Sequence, residues 1–64
     1  MSDIHSTAII SPKAEIGNNV KISYGVQIGN YVKIGHYVEI GTGVIIGSFA
    51  EIGNYKKITA GTTL

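Results

Sequence analysis

Few side chains in this sequence could take part in acid–base or metal chemistry. The 64 residues include two histidines, His5 and His36, and no cysteine. A histidine acts as a general base only when its imidazole lies within hydrogen-bond reach of a substrate hydroxyl. Two histidines are too few for a three-histidine zinc site in one chain, and the lack of Cys removes thiolate ligands and cysteine nucleophiles. We therefore predict no metal and no cofactor. No catalytic residue is assigned, and His36 is the candidate that we retain.

These candidates lie in a strict repeat. An aliphatic residue recurs at every sixth position, and the series is Ile4, Ile10, Ile16, Ile22, Ile28, Ile34, Ile40, Ile46, Ile52, Ile58 and Leu64. The fourth residue after each Ile is small or β-branched everywhere except at Lys56, which gives the motif Ile-Gly-x-x-Val-x. Ten such repeats run from Ile4 to Thr63, and Leu64 closes the series.

The repeat predicts short strands separated by turns. The fourth residue of a repeat and the next Ile are two positions apart, so in an extended chain they point to the same side. All nine glycines fall at the first or third position after an Ile, where we expect the chain to turn. A spacing of six does not provide the i, i+3, i+4, i+7 pattern of an amphipathic helix. The sequence therefore predicts an all-β fold with a single domain over residues 1–64.

Chemically coherent columns of residues 18 apart indicate three repeats per coil. The charged outward columns are Glu15, Lys33, Glu51 and Lys21, Glu39, Lys57. Strands of neighbouring coils lie about 4.8 Å apart, so the alternation makes opposite charges neighbours. This alternation explains the glutamates better than paired catalytic acids do. The glycines likewise belong to the repeat and not to a phosphate-binding turn.

The third outward column carries no charge and is the candidate interface. We predict a subunit contact there, formed by Ile9, Tyr24, Gln27, Ile45 and Thr63. The open ends of the coil are a second candidate, because unpaired terminal strands can pair with another chain. Self-association as a trimer or end to end is therefore expected.

Lys56 breaks the inward pattern. Residues 28–34 and 52–58 are identical except that Val32 is replaced by Lys56. Because an ammonium inside an aliphatic core is costly, we predict that Lys56 leaves the open C-terminal end or distorts its strand.

Composition excludes several other functions. The net charge is +1, and there are five Lys and no Arg, so we predict no nucleic-acid partner on electrostatic grounds. No apolar run reaches membrane-spanning length and no charged-then-apolar leader opens the chain, so we predict a cytoplasmic protein without a membrane partner.

The repeat motif resembles that of the hexapeptide-repeat acyltransferases. Residues 34–41, Ile-Gly-His-Tyr-Val-Glu-Ile-Gly, are most similar to the N-terminal coils of the UDP-N-acetylglucosamine O-acyltransferases. This resemblance implies a left-handed parallel β-helix of triangular section, a solenoid of about 3.3 coils of 18 residues. The left hand comes from the resemblance, since crossovers are generally right-handed.

The same resemblance implies transfer of an acyl group from a thioester to a sugar nucleotide, with a general-base histidine between subunits of a trimer. Neither histidine here matches that catalytic segment by its surroundings, and His36 is stacked between Asn18 and Asn54 in a column of turn-compatible residues. We therefore expect a structural scaffold, an excised or engineered segment of such an acyltransferase without a complete catalytic site. The alternatives are a sugar-nucleotide acyltransferase acting at a subunit interface, and an oligomerising or assembling module.

Overall fold

The computed structural model describes residues 2–64, and it places ten two-residue strands along this part of the chain. Each strand consists of one outward residue followed by an aliphatic residue of the repeat. The strands are β1 (Asp3–Ile4), β2 (Ile9–Ile10), β3 (Glu15–Ile16), β4 (Lys21–Ile22), β5 (Gln27–Ile28), β6 (Lys33–Ile34), β7 (Glu39–Ile40), β8 (Ile45–Ile46), β9 (Glu51–Ile52) and β10 (Lys57–Ile58). Within residues 2–64 there is no helix, and hence none long and apolar enough to cross a membrane.

The strands form three parallel sheets, which are the faces of a solenoid. The order is β1-β4-β7-β10 in the first sheet, β2-β5-β8 in the second and β3-β6-β9 in the third. The register pairs Ile4 with Ile22 and Ile22 with Ile40, so successive rungs are 18 residues apart. The predicted all-β solenoid of about three coils is therefore confirmed, whereas its left hand remains a prediction.

We name the faces by their outward residues. The four-charge face carries Asp3, Lys21, Glu39 and Lys57. The three-charge face carries Glu15, Lys33 and Glu51. The neutral face carries Ile9, Gln27 and Ile45, and a single bridge to Ile45 adds Thr63.

The core lies in the middle coils. The buried side chains are Val20, Ile22, Val26, Ile28, Val32, Ile34, Val38, Ile40, Val44 and Ile46. Aliphatic residues of the end coils are covered from one side only, so Ile4 remains 44% exposed and Leu64 54% exposed. Burial in this fold therefore depends on having a coil on both sides.

Lys56 occupies an inward position of the repeat but is exposed at the C-terminal end of the solenoid. Its carbonyl oxygen still accepts the N–H of Glu39 at 2.9 Å, as the corresponding carbonyl of Val32 accepts the N–H of Glu15 at 2.8 Å. The backbone hydrogen bond is therefore kept at this position, and Lys56 is exposed and not buried in the aliphatic core, as expected.

The corners use two kinds of glycine. Gly25, Gly43 and Gly61, at the third position after Ile, have φ between 71° and 79°. Glycines at the first position have no left-handed φ, and all except Gly53 lie against backbone of the next coil, so that a Cβ on Gly41 would be 2.6 Å from the backbone N of Ala60. The first group supplies a left-handed conformation, and the second allows close approach of two backbones.

Among residues 2–64, five residues other than glycine also adopt positive φ at the third position. They are Asn19, Tyr31, Tyr37, Phe49 and Tyr55, with φ between 59° and 67°. For an aromatic residue this conformation costs about 1–2 kcal/mol. The N–H of Tyr37 donates to the carbonyl of Asn18 at 3.0 Å, and the N–H of Tyr55 donates to the carbonyl of His36 at 2.9 Å. These bonds between coils offset part of the backbone strain.

Candidate functional site

His36 lies at an exposed corner between the three-charge and four-charge faces, where its side chain joins two coils. Its Nδ1 accepts the backbone N–H of Asn18 at 2.7 Å. The backbone N–H of His36 donates to Oδ1 of Asn54 at 2.8 Å. The side chains of His36 and Asn54 therefore each accept the backbone N–H of the column member one coil earlier. Because Nδ1 acts as an acceptor, the neutral ring carries its proton on Nε2.

Nδ1 of His36 therefore has the same role as the amide oxygen of Asn54, since each accepts a backbone N–H from the preceding coil. A general base needs a free lone pair that reaches a substrate hydroxyl. The Nδ1 lone pair of His36 is already engaged with the backbone of Asn18. The expected Asn18–His36–Asn54 column is thus confirmed, and the side chains of His36 and Asn54 are bonded to the preceding coil as well as exposed to solvent.

His5 is engaged in a local turn at a different corner. The N–H of Thr7 donates to Nδ1 of His5 at 3.1 Å, and the Thr7 hydroxyl lies 2.8 Å from the same atom. The N–H of Gly25 in turn donates to the Thr7 hydroxyl at 2.9 Å. The ring of His5 packs edge-on against Tyr24, with centroids 5.4 Å apart. These contacts give His5 a structural role in the first coil, and they do not bring it to His36.

The carboxylates do not converge on a common site. Glu39 lies on the four-charge face between Lys21 and Lys57. Glu15 and Glu51 lie on another face, separated by Lys33. The predicted alternation of charges is therefore confirmed. Among residues 2–64, no three His, Asp or Glu side chains are grouped as a metal site would require.

One member of the charged columns was missed by the sequence analysis. Asp3 pairs in register with Lys21 and heads the four-charge face. The signal was available, since Asp3 precedes Lys21 by 18 residues. Its omission left that column with three charges, whereas the structure has four.

A shallow groove of about 360 Å³ runs along the three-charge face. Its lining includes Gly17, Gly35 and Gly53 together with the charged column. Neither histidine is among the residues that line it. The groove therefore combines charge alternation with a floor of glycine backbone, but it has no group placed for acid–base catalysis by imidazole.

The neutral face brings the predicted interface residues together. Ile9 is 67% exposed and Ile45 42% exposed, and both are in register with Gln27 between them. Thr63 extends the column, and Tyr24 is exposed at the adjoining corner. The geometry gives a continuous uncharged column, and its use as a subunit contact stays a prediction.

Four of the five aromatic residues form two stacks at the corners. Tyr31 and Phe49 stack with centroids 5.3 Å apart, and Lys13 lies 5.3 Å from the centre of the Tyr31 ring. Tyr37 and Tyr55 stack at 5.2 Å with nearly parallel planes. The members of each pair are 18 residues apart, one coil of the solenoid, and all four residues have a positive φ.

Comparison with known families agrees with this geometry. Residues 25–54 match the family described as bacterial transferase hexapeptide (six repeats). The matched segment contains β5 to β9 and His36. Comparisons with curated proteins and with solved structures gave no match. The family match and the three-sheet solenoid support the hexapeptide-repeat family, whereas the finer resemblance to UDP-N-acetylglucosamine O-acyltransferases remains a prediction.

Proposed function

We propose that this chain is a structural hexapeptide-repeat scaffold, a segment of an acyltransferase-type solenoid that does not itself hold a complete catalytic site. The observation that carries this proposal is the hydrogen bond from the Asn18 N–H to Nδ1 of His36. It gives the retained catalytic candidate a role in joining coils. His5 is engaged similarly by Thr7.

The experiment is an acyl-transfer assay with an acyl thioester as donor and UDP-N-acetylglucosamine as acceptor. The wild-type chain is compared with His36→Asn, which keeps an acceptor for the Asn18 N–H, and with His36→Ala, which does not. We expect all three to give only the rate of the reaction without protein. Transfer by the folded wild-type chain would overturn the scaffold proposal. Its loss in His36→Asn would then support the alternative, an acyltransferase in which His36 is the base.

A second candidate function is self-association through the neutral face. It is favoured by the exposure of Ile9 and Ile45 on a column that carries no charge. Burying these side chains against another copy would remove apolar surface from water, at about 25 cal/mol per Å². The proposed partner is a second copy of this chain, with no nucleic acid, membrane or metal involved.

The test is the solution mass of Ile45→Lys against a matched variant. Asn18→Lys adds the same charge at an exposed corner opposite the neutral face. If the neutral face is the contact, Ile45→Lys dissociates the oligomer and Asn18→Lys leaves its mass unchanged. Equal masses for the two variants would exclude the neutral face.

A further inference from the structure

The four-charge face has an alternating charge pattern that neither the scaffold role nor the neutral-face contact explains. Its exposed outward residues run Asp3, Lys21, Glu39, Lys57, which is negative, positive, negative, positive. The rungs are in register, so these charges form one straight column with a spacing of about 4.8 Å. The column has an even number of strictly alternating charges.

An even, alternating column is its own complement when it is reversed. Turned end over end, the face presents Lys57 where Asp3 was and Glu39 where Lys21 was. The column on the three-charge face lacks this property, because Glu15, Lys33, Glu51 reads the same in both directions and would place like charges opposite each other. Opposite charges at a surface favour association, and like charges oppose it.

We propose that two copies of this chain associate through their four-charge faces with antiparallel solenoid axes. The twofold axis lies in the contact, parallel to the strands, midway between β4 and β7. Asp3 then faces the partner's Lys57, and Lys21 faces the partner's Glu39. Symmetry repeats both pairs, so every charge on the face meets an opposite charge. Such an isologous contact closes with two copies and leaves no further site of the same kind.

The surface beside the column leaves room for the partner's side chains. A groove of about 280 Å³ follows Lys21, Glu39 and Lys57, and Gly41 and Ala60 are among its small lining residues. A second groove continues along Asp3 and Lys21. The net charge of +1 adds little repulsion between two copies.

The contact is expected to be weak and sensitive to salt. The solenoid measures 20 × 19 × 19 Å, so one face is far smaller than the ~800 Å² per partner of a standard interface. The Debye length, over which salt screens exposed charges, is about 8 Å at 0.15 M salt and about 30 Å at 0.01 M. The attraction between the faces is therefore stronger at low salt. Association should therefore appear at high protein concentration and low ionic strength.

A competing arrangement sets the four-charge face of one copy beside the three-charge face of another with parallel axes. Lys21, Glu39 and Lys57 would then face the partner's Glu15, the partner's Lys33 and the partner's Glu51. This arrangement leaves Asp3 without a partner and leaves unused faces on both copies. It requires Lys33 as much as Lys21, whereas the antiparallel dimer does not use Lys33.

The test compares Lys21→Glu with Lys33→Glu by sedimentation equilibrium up to about 1 mM chain, in 10 mM and 150 mM salt. Both lysines are exposed, lie between two carboxylates of their own chain and follow a buried valine, and both variants have the same net charge. We expect the wild type to dimerise in 10 mM salt and to dissociate in 150 mM salt. Lys21→Glu should weaken the dimer about tenfold or more, while Lys33→Glu stays within about threefold of wild type.

Orientation is tested by disulfide formation, which is possible because the chain has no cysteine of its own. Asp3→Cys and Lys57→Cys are mixed under oxidising conditions in 10 mM salt. The antiparallel dimer predicts that the mixed disulfide exceeds both homodisulfides. A wild type that stays monomeric, an equal effect of the two lysine variants, or a random distribution of disulfides would overturn the proposal. Neither the sedimentation experiment nor the disulfide experiment depends on acyl transfer or on Ile45.

Discussion

Nδ1 of His36 lies 2.7 Å from the backbone nitrogen of Asn18, one coil earlier, and accepts its N–H. The next member of the column repeats the relationship, since Oδ1 of Asn54 accepts the N–H of His36 at 2.8 Å. An imidazole and an amide therefore serve the same purpose at one corner of the solenoid. This equivalence explains how a histidine can occupy the column without a catalytic task.

The first prediction follows from this equivalence. The free energy of unfolding of His36→Asn should lie within about 0.5 kcal/mol of the wild-type value, because the amide oxygen can accept the same N–H. His36→Ala should lose about 1 kcal/mol, the usual contribution of one hydrogen bond. Chemical denaturation measures both values. Thr42→Ala, at the same repeat position of another exposed corner, is the control and should be near neutral. Equal losses in His36→Asn and His36→Ala would contradict the role of Nδ1.

The second prediction concerns two glycines at the same repeat position. A Cβ on Gly35 would lie 2.9 Å from the backbone N of Asn54, whereas a Cβ on Gly53 would find only Cε of Lys56 at 3.8 Å. Gly35→Ala should therefore destabilise the chain by about 1–3 kcal/mol through overpacking. Gly53→Ala should be neutral or stabilise it by up to about 1 kcal/mol, since Ala restricts the unfolded chain.

Thermal unfolding of the two alanine variants checks this difference. Neither glycine has a positive φ, so backbone strain does not separate them. If both variants lost the same stability, the close approach of the next coil would not be the reason for the glycine at position 35.

The strands and the coil length could be predicted from the sequence because each depends on spacing alone. The Ile series sets the inward side, and the columns of charge set the register, as the pairing of Lys33 with Glu15 and Glu51 shows. The corners could not be predicted in the same way. Tyr37 and Tyr55 oppose their own backbone preference, and this conformation is accompanied by intercoil hydrogen bonds and by stacking of the two rings, neither of which follows from the spacing.

The candidate site was also only partly predictable. The Asn18–His36–Asn54 column was visible at a spacing of 18, but the acceptor role of Nδ1 depends on the height of one coil above another. Asp3 completes the four-charge face through its register with Lys21. A spacing argument finds such a residue only when it is extended to the first rung.

The third prediction uses the matched segments 28–34 and 52–58. Val32 is fully buried, while Lys56 at the same repeat position is exposed at the open end. Val32→Lys should cost about 3–5 kcal/mol as an unpaired buried charge, which is enough to unfold a domain of this size. Lys56→Val should change stability by no more than about 0.5 kcal/mol. Circular dichroism and denaturation measure both. A folded, stable Val32→Lys chain would show that the middle coils can open to solvent.

The fourth prediction separates the stacking of Tyr37 and Tyr55 from the strain of their backbone. The rings are 5.2 Å apart with an interplanar angle of 3°, and both residues have φ near 60°. Alanine at either position keeps the positive φ, so the backbone term cancels in a double-mutant cycle of Tyr37→Ala and Tyr55→Ala. The coupling free energy should be about 0.5–1.5 kcal/mol, the range measured for aromatic pairs. A parallel cycle on Tyr37 and Phe49, which lie at different corners, should give a coupling near zero. If the Tyr37–Tyr55 coupling were also near zero, stacking would not offset the strain. The intercoil hydrogen bond donated by Tyr55 to His36 would then have to hold the left-handed corner without help from the rings.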